Sequence, residues 1–320
     1  MAVLTALVLA AFVVATISQC VCEDAPQLAA GVDAYGRWYH GARVVPQIIT
    51  RTRPPPSTLL ANIAIIVPFR ARAEHLRAFV AHIHTFMLRA DAHYRLFVIE
   101  QADSNPFNRG ALLNAGFHFA SKYANEGGAR SYSHFVFHDV DALPASSTLL
   151  PWYATPPPPG ACYHLASPSW FEGKYTFDRF FGAVSVLRAD SFVAANGFPA
   201  SFWGWGGEDD ALLHRLSAGC DGDRNATTVL RPRRGRFRHL PHPRENVEAG
   251  GGSRDHMSIA RSVVRDQCRW QRDGLSSQPV YVADGDPVPL VARDELNENG
   301  GADDVVVGFL IQARRPSKNK

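Results

Sequence analysis

Lysine is nearly absent from this chain, and neither sign of charge prevails. Only four of the 33 basic residues are lysines, and the 30 acidic residues leave a formal charge of +3. Because proteins that bind a nucleic-acid backbone need a strong basic surplus, this balance argues against nucleic acid as a partner. The five cysteines lack CxxC spacing and are too few for a disulfide-stabilised scaffold or a structural zinc site.

An internal repeat is also missing, which excludes a solenoid or a propeller. Hydrophobic residues make up 46% of the 320 residues, and aromatic residues make up 11%. That is enough apolar material to bury a sizeable core, so the chain is not disordered as a whole. Its length suits one large domain or two small ones.

The first segment of the chain is apolar and uncharged. Ala2–Ile17 contains no charged residue, and extending the run to Val21 reaches the roughly 20 residues that a membrane helix needs. A signal anchor and a cleaved signal peptide at 1–22 both send the chain into the secretory pathway, and a buried core helix is the remaining alternative. Asn225, in an Asn-Ala-Thr sequon, is the predicted glycosylation site.

Three further segments follow. Residues 23–60 show no sustained period and end in a proline run, which predicts a stem or linker. The range 61–285 contains the strand-like and helix-like patterns and is the predicted folded domain. Residues 286–320 are predicted to form a C-terminal tail, loose near its end.

Strand and helix patterns alternate at the start of the predicted domain. This alternation predicts an α/β fold with a mostly parallel central sheet, in which ligands bind beyond the carboxyl ends of the strands. The predicted elements are strand Asn62–Val67, helix Glu74–Leu88, strand Tyr94–Ile99, helix Arg109–Tyr123 and strand Ser133–His138.

Cationic and aromatic side chains follow the first two predicted strands. Arg70 and Arg72 come after the first strand, and Phe107 and Arg109 come after the second, where a helix begins. Planar guanidinium groups and a helix N-terminus suit phosphate, and an aromatic ring suits a nucleotide base. Solvated surface arginines and ordinary helix capping are the structural alternatives.

Two carboxylates, Asp139 and Asp141, follow the third strand in a DxD element. Such oxygen ligands suit a hard cation, Mn²⁺ or Mg²⁺, that shares its coordination shell with a diphosphate. An isolated DxD can also be a simple turn, but its place after a strand favours the metal site. His239 and His242, further along the chain, could complete that site.

The stretch 203–210, WGWGGEDD, is the densest in unusual residues. Trp205 stands between glycines, an arrangement that can form a mobile wall over a sugar ring. Glu208, Asp209 and Asp210 then open a predicted helix. Acidic residues are favoured at a helix N-terminus in any case, so their presence alone does not establish catalysis.

Six motifs, in this order, resemble the β-1,4-galactosyltransferases over about residues 62–283. They are VPFRAR (67–72), FNRGALLNAGF (107–117), FHDVDALP (137–144), FFGAVSVL (180–187), NGFPASFWGWGGEDDALLHRL (196–216) and RHL (238–240). The resemblance implies a GT-A-type, Rossmann-like nucleotide-sugar transferase fold for 61–285. It also implies galactosyl transfer from UDP-galactose with Mn²⁺ as cofactor.

The resemblance assigns roles to single residues. It implies that Asp141 and His239 bind Mn²⁺ with His242 as a further protein ligand, and that Asp209 is the general base. The implied donor-binding residues are Arg70, Arg72, Phe107, Arg109, Asp139 and Trp205.

Loop and acceptor residues are implied in the same way. Trp205 matches the tryptophan of the family's mobile loop, and Glu208 and Asp210 would orient that loop and the acceptor. Phe180 lies where the family distinguishes galactose from N-acetylgalactosamine donors, and its bulk favours galactose.

Within the family, the resemblance is greatest to the xylosylprotein branch, through Tyr163–Pro168 and Phe237–Leu240. The chain departs from that branch in two ways. The spacing between His239 and His242 is one residue longer than in the branch, and Gly207 stands where the branch has arginine. Xylose on a proteoglycan or another glycoprotein is the favoured acceptor. Alternatives are N-acetylglucosamine or glucose acceptors, an N-acetylgalactosamine donor, and an inactive sugar-binding scaffold. The expected location is the Golgi membrane, as a single-pass type II protein with a luminal domain, or secretion after cleavage.

Overall fold

A computed structural model describes residues 48–51, 53–57, 61–90, 92–101, 103–126, 131–166, 180–204, 206–217, 227–241, 266, 270–277, 288–289 and 307–311. The strands are β1 Ile48–Arg51, β2 Asn62–Phe69, β3 His93–Gln101, β4 His134–His138, β5 Ala142–Pro144, β6 Ala161–His164, β7 Val184–Leu187, β8 Thr228–Pro232, β9 Phe237–His239, β10 Val288–Pro289 and β11 Val307–Ile311. The helices are α1 Ala73–Met87, α2 Arg109–Glu126, α3 Leu150–Ala154, α4 Ala189–Ala194 and α5 Glu208–Ser217. Short 3₁₀ turns lie at Ser147–Leu149, Trp270–Arg272 and Leu275–Ser277.

A nine-stranded sheet forms the centre of the described structure, in the order β1-β8-β6-β7-β4-β2-β3-β11-β10. β2 is parallel to both β3 and β4, which confirms the predicted parallel arrangement with α1 and α2 as crossovers. β7 is antiparallel to β4 and β6, so the sheet is mostly but not wholly parallel. β5 and β9 form a separate antiparallel ribbon.

The residues of β2 alternate between two hydrophobic cores, one on each face of the sheet. Ile63, Ile65 and Val67 pack with the apolar side of α1, whereas Ala64 and Ile66 pack with α2 and α5. Because helices cover both faces, the strand is a continuous apolar run in the sequence, not an alternation of polar and apolar residues.

β2 continues through Pro68, where the sequence predicted that it would stop. Its pairing with β4 ends at Ile66, opposite Phe137, while its pairing with β3 continues to Phe69. Proline cannot donate to a ladder, so it is tolerated where a strand has a neighbour on one side only. The extra residues carry the chain to the edge where Arg70 begins the next loop.

α2 lies unusually close to the sheet at Gly116. A β-carbon at this position would overlap Ile66 and would lie 2.9 Å from Ile99 Cγ1. Glycine therefore allows the close approach of helix and sheet, which places Arg109, at the start of the same helix, beside the strand ends.

Three strands of the sheet lie outside the predicted domain 61–285. β1, from the segment 23–60 predicted as a stem, is parallel to β8. β11, from the predicted tail 286–320, is parallel to β3 and paired with β10. The sheet therefore extends past both predicted boundaries. Local periodicity could not indicate this, because pairing at a sheet edge depends on which backbone groups the folded domain leaves open.

Several predicted features lie outside the described residues. They are the apolar segment 1–22, Trp205, Asn225 and His242. Within the described ranges, no helix combines the length and apolar character needed to cross a membrane.

Candidate active site

The carboxyl ends of β2, β3 and β4 bring charged groups together at one edge of the sheet. Arg72 follows β2, Arg109 begins α2 after β3, and Asp139 and Asp141 follow β4. Arg109 Nε donates a hydrogen bond to Asp139 Oδ1 at 2.7 Å, and Arg72 Nη1 lies 3.7 Å from Asp141 Oδ2. The structure thus assembles clusters that are separate in the sequence.

Arg109 lies among three carboxylates. Besides Asp139, its Nη1 is 3.4 Å from Glu208 Oε1 at the start of α5, and Asp209 adds to the negative field around it. Burial by itself lowers the pKa of Arg109, but the three carboxylates more than offset that effect and leave the pKa raised. The guanidinium therefore stays charged while it links α5 to the end of β4.

The pKa values of the acids around Arg109 are raised, whereas a simple ion pair with an arginine would lower them. Burial, followed by the charge of Asp209, raises the pKa of Glu208 to about 7. Burial likewise raises the pKa of Asp139, with Arg109 opposing the shift. Crowding several carboxylates into a desolvated site has this effect because the charged forms repel one another and lose water.

The loop between β3 and α2 holds Arg70 against Phe107. Gln101, at the end of β3, accepts a hydrogen bond from the Asn108 amide at 2.8 Å and donates to the Asn105 carbonyl at 3.2 Å. That carbonyl also accepts from Arg70 Nη1 at 2.5 Å. The Arg70 guanidinium lies 5.4 Å from the centre of the Phe107 ring, so the predicted phosphate-binding and base-binding side chains are neighbours.

Asp141 and His239 meet at the end of the β5–β9 ribbon. His239 ends β9 opposite Ala142, and its Nε2 lies 3.2 Å from Asp141 Oδ2. The side chain of His239 is 31% exposed and that of Asp141 is 11% exposed, so the point where they meet is partly open. A carboxylate oxygen and an imidazole nitrogen converging there fit a divalent cation that also binds oxygens of a diphosphate.

The described residues supply two protein donors for such a cation. No group of three or more His, Cys, Asp or Glu side chains within the described ranges is arranged to hold a metal ion. Asp139, the neighbouring acid, is paired with Arg109. The predicted third ligand, His242, lies outside those ranges. The two donors suit an ion whose remaining coordination comes from other ligands.

Asp209 is close to the segment that precedes β7. Glu208 is buried at the start of α5, whereas Asp209 and Asp210 are only partly buried. Asp209 Oδ2 lies so near Gly182 that a β-carbon on that glycine would overlap it, and the same β-carbon would lie 2.8 Å from Phe180 Cε2. Two predicted site residues, Asp209 and Phe180, therefore border one glycine.

The segment before the tryptophan-rich loop is held by residues that the motif analysis did not single out. Asn114 of α2 donates to the Phe198 carbonyl at 2.8 Å and accepts from the Phe198 amide at 2.9 Å. Asp273 accepts from the amides of Ala200 and Ser201 at 2.9 and 3.0 Å. The one available signal was Asn114 itself, a polar residue on an otherwise apolar helix face.

A buried ion pair ties α5 to the same region. Arg215 Nη2 donates to Asp266 Oδ1 at 2.5 Å and to the Asp273 carbonyl at 2.7 Å, and its Nη1 donates to the Gly197 carbonyl at 2.7 Å. The helix that carries Glu208–Asp210 and the segment that precedes the loop thus share one anchor.

Comparison with known proteins identifies the family. Residues 43–151 match the N-terminal region of glycosyl transferase group 7, and residues 163–243 match the N-terminal domain of galactosyltransferase. β-1,4-galactosyltransferase 4 of Rattus norvegicus is 32% identical over 246 residues, which cover 76% of this chain and 65% of the relative. The chain belongs to the β-1,4-galactosyltransferase family. The human β-1,4-galactosyltransferase 3 is 33% identical over 228 residues, covering 71% of this chain and 53% of the relative. This family member thus spans about half to two thirds of the length of these relatives.

Solved structures of the family match this galactosyltransferase-family chain in fold. The catalytic domain of Drosophila β-1,4-galactosyltransferase 7 in complex with xylobiose superposes with a TM-score of 0.62 at 27% identity. The match covers 80% of this chain and 95% of that domain. A mutant of the same enzyme, in complex with manganese, UDP-Gal and xylobiose, gives a TM-score of 0.61 at 26% identity. The predicted GT-A fold is confirmed.

Proposed function

We propose that this family member is an inverting β-1,4-galactosyltransferase, which moves galactose from UDP-α-galactose to the 4-hydroxyl of an acceptor sugar. The observation that carries this proposal is the assembly at one sheet edge. The Asp141–His239 donor pair, the Arg109–Asp139 ion pair and the Asp209 carboxylate lie together there. Separate groups for a diphosphate and for an acceptor hydroxyl are what an inverting transfer needs.

On the donor side, arginines and the Asp141–His239 pair would bind the leaving group and its metal ion. Arg70, beside Phe107, suits the uridine and its phosphates, and Arg72 lies next to Asp141. The Drosophila relative was solved with manganese and UDP-Gal, and Asp141 and His239 would hold the same ion here. When bound, Mn²⁺ supplies neutralisation of the charge that develops on the departing diphosphate.

On the acceptor side, we assign the role of general base to Asp209. Successive side chains on a helix diverge by about 100°, so the three acids at the start of α5 cannot face one hydroxyl. Glu208 is buried against Arg109, which leaves it to position the site. Asp209 is partly exposed and would take the proton from the acceptor 4-hydroxyl. That oxygen then bonds to galactose C1 while the bond from C1 to UDP breaks, which inverts the configuration at C1.

Xylose is the acceptor we favour. The stretches around His164 and His239 resemble the xylosylprotein branch, and the Drosophila neighbour was solved with xylobiose. A second candidate, N-acetylglucosamine, is favoured by Gly207. A glycine here, in place of the arginine of the xylosylprotein branch, makes the loop resemble the family members that act on N-acetylglucosamine.

We also propose that the chain enters the secretory pathway and resides in the Golgi membrane through segment 1–22, with its catalytic domain in the lumen. The uncharged run Ala2–Ile17 and the sequon at Asn225 support this location. N-terminal sequencing of the expressed protein, together with protease protection in sealed vesicles, tests it. Cleavage near residue 22 with release into the medium would indicate secretion instead.

A screen of donors against acceptors tests the activity. The full chain is incubated with Mn²⁺, with UDP-galactose or UDP-N-acetylgalactosamine, and with a xyloside, a glucoside or an N-acetylglucosaminide. We expect transfer from UDP-galactose, with the xyloside as the best acceptor. Transfer to N-acetylglucosamine alone would reassign the acceptor. Neither transfer nor hydrolysis with any combination would support the alternative of an inactive sugar-binding scaffold.

The role of Asp209 has its own test. Asp209→Asn is nearly isosteric, so UDP and Mn²⁺ should still bind while kcat falls by about 10²–10⁴-fold, the usual loss when a general base is removed. Asp190 in the first turn of α4 supplies a matched control, because Asp190→Asn makes the same change at an exposed helix start. A stable, UDP-binding Asp209→Asn protein that keeps more than about a tenth of kcat would exclude Asp209 as the base.

A further inference from the structure

The backbone just before β7 makes a tight turn around Ala183, in a conformation that is rare for alanine. The φ angle of Ala183 is +64°, in the left-handed region that residues other than glycine seldom occupy. The Val184 amide donates to the Gly182 carbonyl at 2.9 Å, which closes a three-residue turn. Strained turns of this kind persist only where the surrounding structure holds them, and they concentrate at functional sites.

Buried side chains hold this turn in place. His164 Nε2 donates to the Gly182 carbonyl at 2.9 Å, and Arg231 Nη2 donates to the Phe180 carbonyl. Both His164 and Arg231 are buried, and they belong to β6 and β8 of the central sheet. These two hydrogen bonds therefore fix the turn to the sheet, independently of any contact with ligands.

The turn contacts both sides of the proposed reaction centre. The Ala183 carbonyl accepts a hydrogen bond from the Asp139 amide at 2.9 Å, which holds the start of the DxD element. At the preceding residue, the Gly182 backbone lies against Asp209 Oδ2. One rigid piece of backbone therefore touches the donor-side acid and the acceptor-side acid, which are 70 positions apart in the chain.

Gly182 is required for space and not for backbone conformation. The described glycines with a positive φ include Gly160 and Gly207 but not Gly182, so an alanine could adopt its backbone angles. What alanine could not do is avoid its neighbours, because its β-carbon would overlap Asp209 Oδ2 and crowd Phe180 Cε2.

We propose that the turn Gly182–Ala183 is a positioning element that sets the separation between the carboxylates of Asp139 and Asp209. The Ala183 carbonyl holds Asp139, and the bare backbone of Gly182 forms the surface against which the Asp209 carboxylate rests. The catalytic meaning of this spacing rests on the proposed function, since transfer requires the base and the donor at a defined distance.

Gly182→Ala in the full chain is the first test. The β-carbon displaces the Asp209 carboxylate, and a misplacement of about 1 Å can cost about 100-fold, so we expect kcat to fall by that factor. Because the hydrogen bond from the Asp139 amide to the Ala183 carbonyl is kept, UDP affinity in the presence of Mn²⁺ should change by less than about threefold. Gly160→Ala is the control for the same change where nothing lies within 4 Å of the added carbon: its φ of +72° strains alanine and can lower Tm, but kcat should stay at the wild-type value.

Ala183→Gly tests whether the backbone turn or the methyl group of Ala183 is responsible for the effect. Glycine adopts positive φ without strain, so the turn and its hydrogen bond to Asp139 should persist, with kcat within about twofold of wild type. A collapse of kcat in Ala183→Gly would show that the methyl group, not the backbone turn, is what matters, and would overturn the proposal.

A stability cycle tests the contact without using activity. Gly182→Ala should lower Tm in the wild-type background and lower it much less in an Asp209→Ala background, where the overlapping carboxylate is gone. If Gly182→Ala alone does not fold but the variant that also carries Asp209→Ala does, the proposal is supported in the same way. An equal loss of Tm in both backgrounds would overturn the proposal. If the Tm loss depends on Asp209 but the wild-type protein transfers no sugar, the contact between Gly182 and Asp209 stands. The proposed function is then rejected.

Discussion

Arg109 Nε lies 2.7 Å from Asp139 Oδ1 and joins the start of α2 to the end of β4, two points 30 residues apart in the chain. The same guanidinium reaches Glu208 Oε1 on α5, 99 residues away. One buried cation therefore balances acids from two separate motifs. Removing a single partner of such a group leaves a desolvated charge without compensation, which costs more than the intact pair contributes.

Arg109→Met should for this reason destabilise the protein strongly. We expect the free energy of unfolding to fall by about 3 kcal/mol, because the buried Glu208 and the partly buried Asp139 would lose their counter-charge. Arg109→Lys keeps the charge but cannot reach both acids with one planar group, so its loss should be intermediate. Urea unfolding followed by circular dichroism measures both.

Arg77→Met provides the control for Arg109. Arg77 forms an ion pair with Glu74 on the exposed side of α1, at 2.7 Å, and both side chains are largely exposed. Such surface pairs contribute little, so this variant should unfold like the wild type. A loss as large as that of Arg109→Met would mean that charge removal in general, and not the buried position, sets the effect.

The cation site should depend on Asp141 and His239 together. Asp141→Asn and His239→Ala should each weaken Mn²⁺ binding in the presence of UDP by more than about tenfold. Electron paramagnetic resonance of free Mn²⁺ measures this without activity. His242→Ala should have the smaller effect, since His239 is the histidine that matches the family's metal ligand, and it lies 3.2 Å from Asp141. Unchanged Mn²⁺ binding in Asp141→Asn would place the metal elsewhere.

Asp273 should control how firmly the segment before the tryptophan-rich loop is held. Its carboxylate accepts from the amides of Ala200 and Ser201 and from the Ser201 hydroxyl. Asp273→Ala removes these three hydrogen bonds, and because water can replace the carboxylate at the exposed Ser201 donors, we expect a loss of about 1 kcal/mol. Hydrogen exchange of residues 196–204 should accelerate, while β2 and β3 stay protected. Asp190→Ala, at the exposed start of α4, is the control. If it accelerates the exchange of residues 196–204 as much as Asp273→Ala does, Asp273 is not what holds this segment.

Stability should fall in mild acid because of His134. This side chain is buried in β4, with Nε2 2.7 Å from the Tyr153 carbonyl, and burial lowers its pKa from 6.5 to about 4. The unfolded chain binds a proton below pH 6.5 and the folded chain only near pH 4. The contribution of His134 is therefore complete above pH 6.5 and is lost as the pH falls toward 4, by at most about 3 kcal/mol.

His134→Gln should reduce that loss. Its unfolding free energy, measured by urea titration at several pH values, should fall less steeply than that of the wild type between pH 6.5 and 4. His93→Gln changes an exposed histidine on β3 of the same sheet and should keep the wild-type slope. An unchanged slope in His134→Gln would show that other groups account for the acid sensitivity.

The helices and strands around the site were largely predictable from local patterns. The predicted strand Tyr94–Ile99 lies within β3, and the predicted helix Arg109–Tyr123 lies within α2. Pro68 misled the prediction, because proline is a strand breaker only where its missing N–H faces a partner strand. β1 and β11 were missed because nothing local distinguishes a stem or tail from a segment that adds to a sheet edge.

The supporting residues of the site were the least predictable. Gly182, Ala183 and Asp273 have no chemistry of their own that would mark them in a sequence. Their importance lies in a contact distance, a backbone angle and two amide donors. Such features exist only after distant segments have packed together.

The sequence by itself determined the chemistry available to this protein and its distribution along the chain. Apolar runs set the strands, and the DxD element, the arginines and the three acids of α5 follow from the order of residues, because side-chain type and periodicity are local properties. Only the tertiary structure decided that Arg109 lies between Asp139 and Glu208, and that Asp209 rests against Gly182. Distances between segments 27 to 99 residues apart are set by how the sheet and helices pack, which no local pattern encodes.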